Sequence, residues 1–149
     1  MDWVDLFTGF HGRISRQPFW IGVLVLVVVE SICQAVAHRL EGDRLGAIVD
    51  LAFSYPELAI TLKRAHDRNL PTWWVAALFV GSVFLDFLAV IGVSTELGDM
   101  NSPNLIGVMT TVPLGVLSLL LLVDLGFRPG TKGPNRFGPD PLAASGPSR

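Results

Sequence analysis

A single cysteine, Cys33, occurs among the 149 residues, and it lies inside an apolar run. No internal disulfide can form, and the residue reads as a small buried hydrophobe. Charge is also scarce. Asp, Glu, Lys and Arg make up 16% of the chain, against roughly 25% in an ordinary soluble domain. The histidines are few and dispersed: His11 and His38 lie on different segments from His66. No histidine-rich metal motif results, so neither a metal nor a cofactor is expected. Basic residues are too few, and too closely tied to the ends of apolar runs, to form a nucleic-acid surface. Internal repeats, low-complexity runs and a dividing linker are missing as well.

What the chain has in abundance is apolar length. Half of its residues are hydrophobic, which is a membrane composition. Four runs come near the ~20 residues that a bilayer core requires. They are Phe19 to Leu40, Leu45 to Leu62 with the helix continuing to Arg68, Pro71 to Val93, and Leu105 to Phe127. The predicted fold is an all-α membrane protein with four transmembrane helices, preceded by a short interfacial amphipathic helix in which Trp3, Leu6, Phe7 and Phe10 share one face. A single domain covers residues 1–141, and 142–149 read as a disordered tail. Ala35-Val36-Ala37 imitates a signal-peptidase site. The apolar segment before it is too long and contains Glu30, and three more spans follow, so a cleaved leader is not expected.

Punctuation along the chain fits this reading. Pro18 suits a helix start, with Phe19 and Trp20 as an aromatic anchor at headgroup level. Pro56 is expected to kink the second span, because it removes the amide that would bond the carbonyl of Ala52. Asn69 suits a left-handed cap, and Leu70-Pro71 completes the stop before Trp73-Trp74 re-enter. The distribution of charge sets orientation. Arg13, Arg16, Lys63, Arg64, Arg68, Arg128, Lys132 and Arg136 fall on one side of a four-span arrangement, and Arg39 and Arg44 on the other. The positive-inside rule then makes both termini cytoplasmic, most simply in a bacterial inner membrane.

Two polar layers are expected. At about 1.5 Å per residue, Glu30, Asp50 and Asp86 lie roughly 16, 18 and 21 Å above the cytoplasmic end of their spans, near the midplane. Glu57 and Asp124 lie lower, within reach of Arg64 and the N-terminal arginines. Asp50, Ser54, Glu57, Thr61, Arg64 and Arg68 step by fours and threes along one helical face that lipid would not tolerate. The midplane acids read either as neutral carboxyls bonded across helices, with Gln34 and Ser54, or as a proton or cation path. Gly107, Thr111 and Gly115, with Ala77 and Gly81, suit close packing inside the bundle, the alternative being the seam of a homo-oligomer.

At the cytoplasmic layer Arg13, Arg16, Lys63, Arg64, His66, Asp67, Asn135 and Arg136 are drawn together. Arginine forks beside a Gly-Pro loop are how proteins hold phosphate or carboxylate groups. A purely structural salt-bridge network is the alternative. Expected partners are membrane lipids, through an anionic headgroup, a phosphate-bearing metabolite, or an acidic segment of a membrane-protein partner.

Three signatures in order carry a resemblance. Gly12-Arg13 with Arg16 and Phe19-Trp20, then Pro56 with Lys63-Arg64, His66-Asp67 and Trp73-Trp74, then Gly130 to Pro141, resemble the bacterial domain-of-unknown-function family 805. The resemblance covers nearly the whole chain and implies a small, multi-span inner-membrane protein. It implies no activity, and Glu30, Asp50 and Asp86 stand outside its signatures. Catalytic patterns are not found, and no catalytic residue is assigned. Ser15-Arg16 lacks the followers of a lipid-phosphatase signature, His66-Asp67 is half of a metal phosphohydrolase motif, and Gly130 to Gly138 leads into no helix as a phosphate loop would. The leading expectation is a non-enzymatic membrane protein with a basic cap. A small transporter using the midplane acids, or an enzyme acting through His66 and Asp67, are the rivals.

Overall fold

The computed structural model describes residues 2–40, 43–91, 98–99 and 102–143. The elements are α1 (Trp3–Thr8), α2 (Arg16–Leu40), α3 (Asp43–Asp67), α4 (Thr72–Val90), β1 (Gly98–Asp99), β2 (Ser102–Pro103) and α5 (Leu105–Phe127). α2, α3 from Arg44, and α5 are long and apolar enough to cross a membrane, and Thr72–Leu88 of α4 is a shorter apolar helix. β1 and β2 pair antiparallel, Gly98 with Pro103 and Asp99 with Ser102. This short ladder between α4 and α5 was not anticipated by the all-helical reading.

Local chemistry sets the helix ends. Asp2 caps α1 by accepting from the amide of Val4 at 2.9 Å. α3 runs through Pro56 without interruption to Asp67. It then stops in a left-handed turn: Asn69 has φ 55°, its amide donates to the carbonyl of His66, and the amide of Leu70 donates to that of Ala65, both at 3.0 Å. These two bonds satisfy carbonyls that the helix end would otherwise orphan, with Asn taking the conformation that glycine usually fills. α5 covers the span read from sequence, Leu105 to Phe127.

The core gathers at one end. Leu6 of α1, Phe19 at the start of α2, Ile60 and Ala65 near the end of α3, Val75 at the start of α4, and Leu121 and Leu125 near the end of α5 form one buried cluster. Because two helix starts meet two helix ends there, the four long helices alternate in direction. Elsewhere the helices turn apolar side chains outward, including Leu24, Val28, Ile32, Val80, Phe84, Met109 and Leu119. An outward apolar surface on that scale suits lipid and not water. Close approach at the packed end relies on glycine. A Cβ on Gly126 would collide with the Trp20 indole, whose Nε1 donates to the Gly126 carbonyl at 3.1 Å.

α1 packs against the bundle. Leu6 is buried in the core, Lys63 Nζ donates to the Asp5 carboxylate at 2.8 Å, and Tyr55 donates to the carbonyl of Thr8 at 2.9 Å. Of the expected tail disorder, residues 144–149 lie outside the described residues. Leu142 and Ala143 belong to a turn, their amides donating to Asp140 at 2.9 and 3.1 Å.

Candidate functional site

Three segments meet at the packed end: the arm before α2, the last turn of α3, and the chain after α5. At their junction Asp67 lies between two guanidinium groups. Arg13 Nη2 donates to Asp67 Oδ1 at 2.9 Å, and Arg64 Nη1 donates to Oδ2. The side chains of Arg13 and Arg64 are 1% and 0% exposed, and that of Asp67 4%. A bare charge there would be costly, and only pairing together with further hydrogen bonds makes such burial tolerable.

The further bonds come from backbone carbonyls. Besides Asp67, Arg13 donates to the carbonyls of Thr131 at 2.6 Å, Gly133 at 2.7 Å and Gly138 at 3.2 Å. With Nε also on Asp67 Oδ1 at 3.1 Å, all five N–H donors of the fork are used. Arg64 reaches the carbonyls of Leu125 at 2.7 Å, Arg128 at 2.6 Å and Ile14 at 3.4 Å. One carboxylate and two arginines therefore clamp the arm, α3, the end of α5 and the tail together. The trio retains one net positive charge.

Thr131 and Asn135 lock the tail over this centre. The Thr131 amide donates to the Asp67 carbonyl at 2.8 Å, and its hydroxyl to the same carbonyl at 2.9 Å. Asn135 Nδ2 donates to the His66 carbonyl and to the Thr131 hydroxyl, each at 2.9 Å. Gly130 crosses so close that a Cβ would overlap the Asp67 carboxylate. The His66 ring stacks on Phe137 with centroids 4.0 Å apart, and its Nδ1 lies 3.0 Å from the Gly12 carbonyl. A carbonyl can only accept, so Nδ1 carries the hydrogen. Arg136 covers the Phe137 ring at 4.6 Å.

Beside the clamp lies a cleft of about 310 Å³ whose walls include Ser15, Arg16, Gln17, Arg64, Thr131 and Lys132. Arg16 and Lys132 are exposed, and among the described residues Arg16 makes a 3.4 Å contact to the Phe127 carbonyl. Asp140 also borders the cleft. Its carboxylate accepts from the amides of Leu142 and Gly133, both at 2.9 Å, and these bonds hold its pKa below the usual carboxylate range.

The structure brings together Arg13, Arg64, His66, Asp67 and Asn135, and places Arg16 at the cleft and Arg136 on Phe137. Lys63 turns away toward Asp5. Of the two acids expected within reach of Arg64 and the N-terminal arginines, Asp124 is near enough to act on Arg64, and the expectation for Glu57 is corrected. Asp124 bonds Arg68 at 3.2 Å and Arg128 at 2.9 Å, and Arg64 takes Asp67, its helical neighbour. Glu57 faces no cation among the described residues: it lines an internal cavity and interacts with Glu30, Asp50 and Asp86. One reason is local. Asp67 is on the same helical face as Arg64, one turn away, so it captures that arginine first. Glu30 and Asp50 are close enough to interact, as is Asp86, and Gln34 Nε2 bonds Asp50 as well as the Gly46 carbonyl at 3.1 Å. Ser54 instead donates back to the Leu51 carbonyl at 2.8 Å. Residues missed from sequence are Thr131, Lys132, Phe137 and Gln17. The order Gly-Thr-Lys-Gly-Pro-Asn marks a turn-rich segment but not which of its carbonyls meet an arginine.

A family model described as "Protein of unknown function (DUF805)" matches residues 7–139. That range takes in the arm, every helix from α2 onward, and the tail residues that hold Arg13. Inner membrane protein YhaH of Escherichia coli is 24% identical over 95% of this chain and 97% of its own length. Uncharacterized protein YiiR of the same organism is 32% identical over 88% of this chain and 84% of its own. Inner membrane protein YhaI is 30% identical over 50% of this chain and 64% of its own. No solved structure matches. With apolar helices long enough to cross a bilayer and a match running from the arm to the clamp-covering tail, the chain belongs to the DUF805 family.

Proposed function

We propose that this protein is a non-enzymatic component of the bacterial inner membrane that crosses the bilayer four times, with both termini in the cytoplasm, and binds a phosphate-bearing anion at its capped end. The observation that carries the reading is the cleft beside the clamp. Arg16 and Lys132 stand at its rim with little pairing among the described residues, over a buried trio that retains a positive charge. Fixed positive charge under exposed, lightly engaged cations favours an anion, and charge-assisted bonds to phosphate are among the stronger polar contacts. Trp20 and Phe127, packed edge-to-face at 5.5 Å, put this cleft next to an aromatic belt of the kind found at headgroup level.

In this reading the clamp arginines hold the fold and do not hold the ligand. Arg13 has no donor to spare, and both oxygens of Asp67 are engaged. The same occupancy speaks against His66 and Asp67 as a metal-binding pair.

Native mass spectrometry of the detergent-solubilised protein tests the proposal. A phospholipid or phosphorylated metabolite is expected to be retained by the wild type and depleted at least severalfold in Arg16→Ala with Lys132→Ala. Competition by inorganic phosphate at unchanged lipid content would assign the cleft to a free ligand, and displacement by vesicles rich in anionic lipid would assign it to a headgroup. Equal ligand content in wild type and variant would refute it. Topology is tested in spheroplasts of a Cys33→Ser background: a thiol at Leu142→Cys is expected to resist an impermeant reagent, and one at Arg39→Cys to react.

A further inference from the structure

Away from the cap, α2, α3, α4 and α5 line a second cavity of about 340 Å³, whose side chains are mostly apolar and include Phe19 and Phe79. Glu57 is the charged residue on its wall, with the hydroxyl-bearing Thr61, Ser82 and Ser118. No Lys, Arg or His among the described residues pairs with Glu57, and the charged groups that act on it are Glu30, Asp50 and Asp86. All are carboxyl groups. Next to this cavity lies an opening of about 360 Å³ between α4 and α5, and Ser82 and Ser118 border both spaces. Asp86 lines the opening, and Gly115 has nothing within 4 Å of where a Cβ would stand. The helix surfaces around it are apolar and outward-facing, as at Phe84 and Val112.

We infer that the cavity is a binding site for a lipophilic organic cation, which enters from the bilayer between α4 and α5 and takes Glu57 as its counter-ion. Apolar walls with a small number of placed polar groups are the usual make-up of a small-molecule site, and the volume falls in the range of roughly 300–1,000 Å³. The route selects for a molecule already dissolved in lipid. The charge selects for a cation, because every ionisable group among the described residues that reaches the cavity is acidic, and attraction is strong in a medium of low dielectric constant. Phe19 and Phe79 add aromatic rings to the wall, a side-chain type that attracts onium groups. An ionisable side chain kept inside a membrane helix without a partner is itself costly, and that cost is recovered when a cation sits beside it. The cavity is separate from the cleft at the cap, and the inference does not depend on the phosphate reading.

The test uses the full chain in detergent, with tetraphenylphosphonium as the cation and tetraphenylborate as an anion of like shape. Equilibrium dialysis against empty micelles separates binding from partition. Saturable phosphonium binding is expected in the wild type, preserved in Glu57→Asp, and weakened at least tenfold in Glu57→Gln. Ser118→Trp, which fills the shared wall and leaves the carboxylate in place, is expected to weaken it similarly. Tetraphenylborate is expected to show micelle partition alone. The inference is overturned by any of three results: no saturable phosphonium binding in the wild type, equal binding in Glu57→Gln, or saturable binding of the borate. Melting temperatures of the variants within a few degrees of wild type exclude misfolding as the cause of a loss. If Glu57→Gln unfolds, binding in Glu57→Asp against its loss in Ser118→Trp decides.

Discussion

At the residue scale, Asp67 is the position on which most bonds of the cap converge. It neutralises one of two buried guanidinium charges and touches both. Replacing it with Asn leaves two arginines facing each other without a counter-charge, and breaking a buried pair in this way costs about 3–5 kcal/mol. Asp67→Asn is therefore expected to lower the thermal midpoint in detergent sharply. Arg13→Lys should do nearly the same, because an ammonium cannot span Asp67 and the carbonyls of Thr131, Gly133 and Gly138 at once. A midpoint unchanged in Arg13→Lys would show that the fork geometry is dispensable. Asp140 gives the pH dependence. Its carboxyl is held below the usual carboxylate range by the amides of Leu142 and Gly133, so its contribution is present above the unfolded-state pKa and lost as pH falls through the lower, folded one. The amide resonances of Gly133 and Leu142 are expected to stay fixed from neutral pH to the ordinary carboxylate range and to move below it, and Asp140→Asn should abolish that titration. These side chains were partly legible in the sequence. Arg13, Arg64, Asp67 and Asn135 could be grouped because their segments lie at one level, but the pairing could not be read, since any arginine at that level could reach any acid.

At the scale of elements, the end of α3 shows local chemistry directing a long-range result. The turn at Asn69 was readable from Asn-Leu-Pro following a polar run, and the structure has the left-handed residue there. Asn69→Gly should be neutral or slightly stabilising, whereas Asn69→Val forces a β-branched residue into a conformation that costs L-residues roughly 1–2 kcal/mol. Thermal unfolding of the two variants checks this, and equal midpoints would count against the cap. The contact between α2 and α5 was not readable. Gly126 looks like any other glycine in an apolar run, and only the position of Trp20 makes it indispensable. Gly126→Val is expected to separate these helices at the packed end and to redden Trp20 fluorescence as the indole becomes wet. The spacing of Gly107, Thr111 and Gly115, with Ala77 and Gly81, suggested close packing: Gly107 is buried and a Cβ on Gly81 would meet Leu114 of α5, whereas one on Gly115 would meet open space. Small residues permit close approach, but a neighbouring helix must also be there.

For the whole molecule, the tail is part of the fold. Three of the carbonyls that satisfy Arg13 belong to Thr131, Gly133 and Gly138, so a chain ending at Arg128 should insert into the membrane and yet fail to hold its arm. Enhanced proteolysis between Gly9 and Arg16 in such a truncation is the expected outcome, and protection equal to wild type would deny the tail this role. The sequence by itself determined the membrane class, the approximate extent of the long helices and the end at which the cations collect. Those properties follow from hydropathy, helix period and the cost of placing charge in lipid, all of which act along the chain. Tertiary structure alone decided that Glu57 lines an apolar cavity, that Asp67 also takes Arg13, and that tail carbonyls complete the bonding of Arg13. Such outcomes depend on distances between segments far apart in sequence, where several partners of equal chemistry compete and packing selects among them.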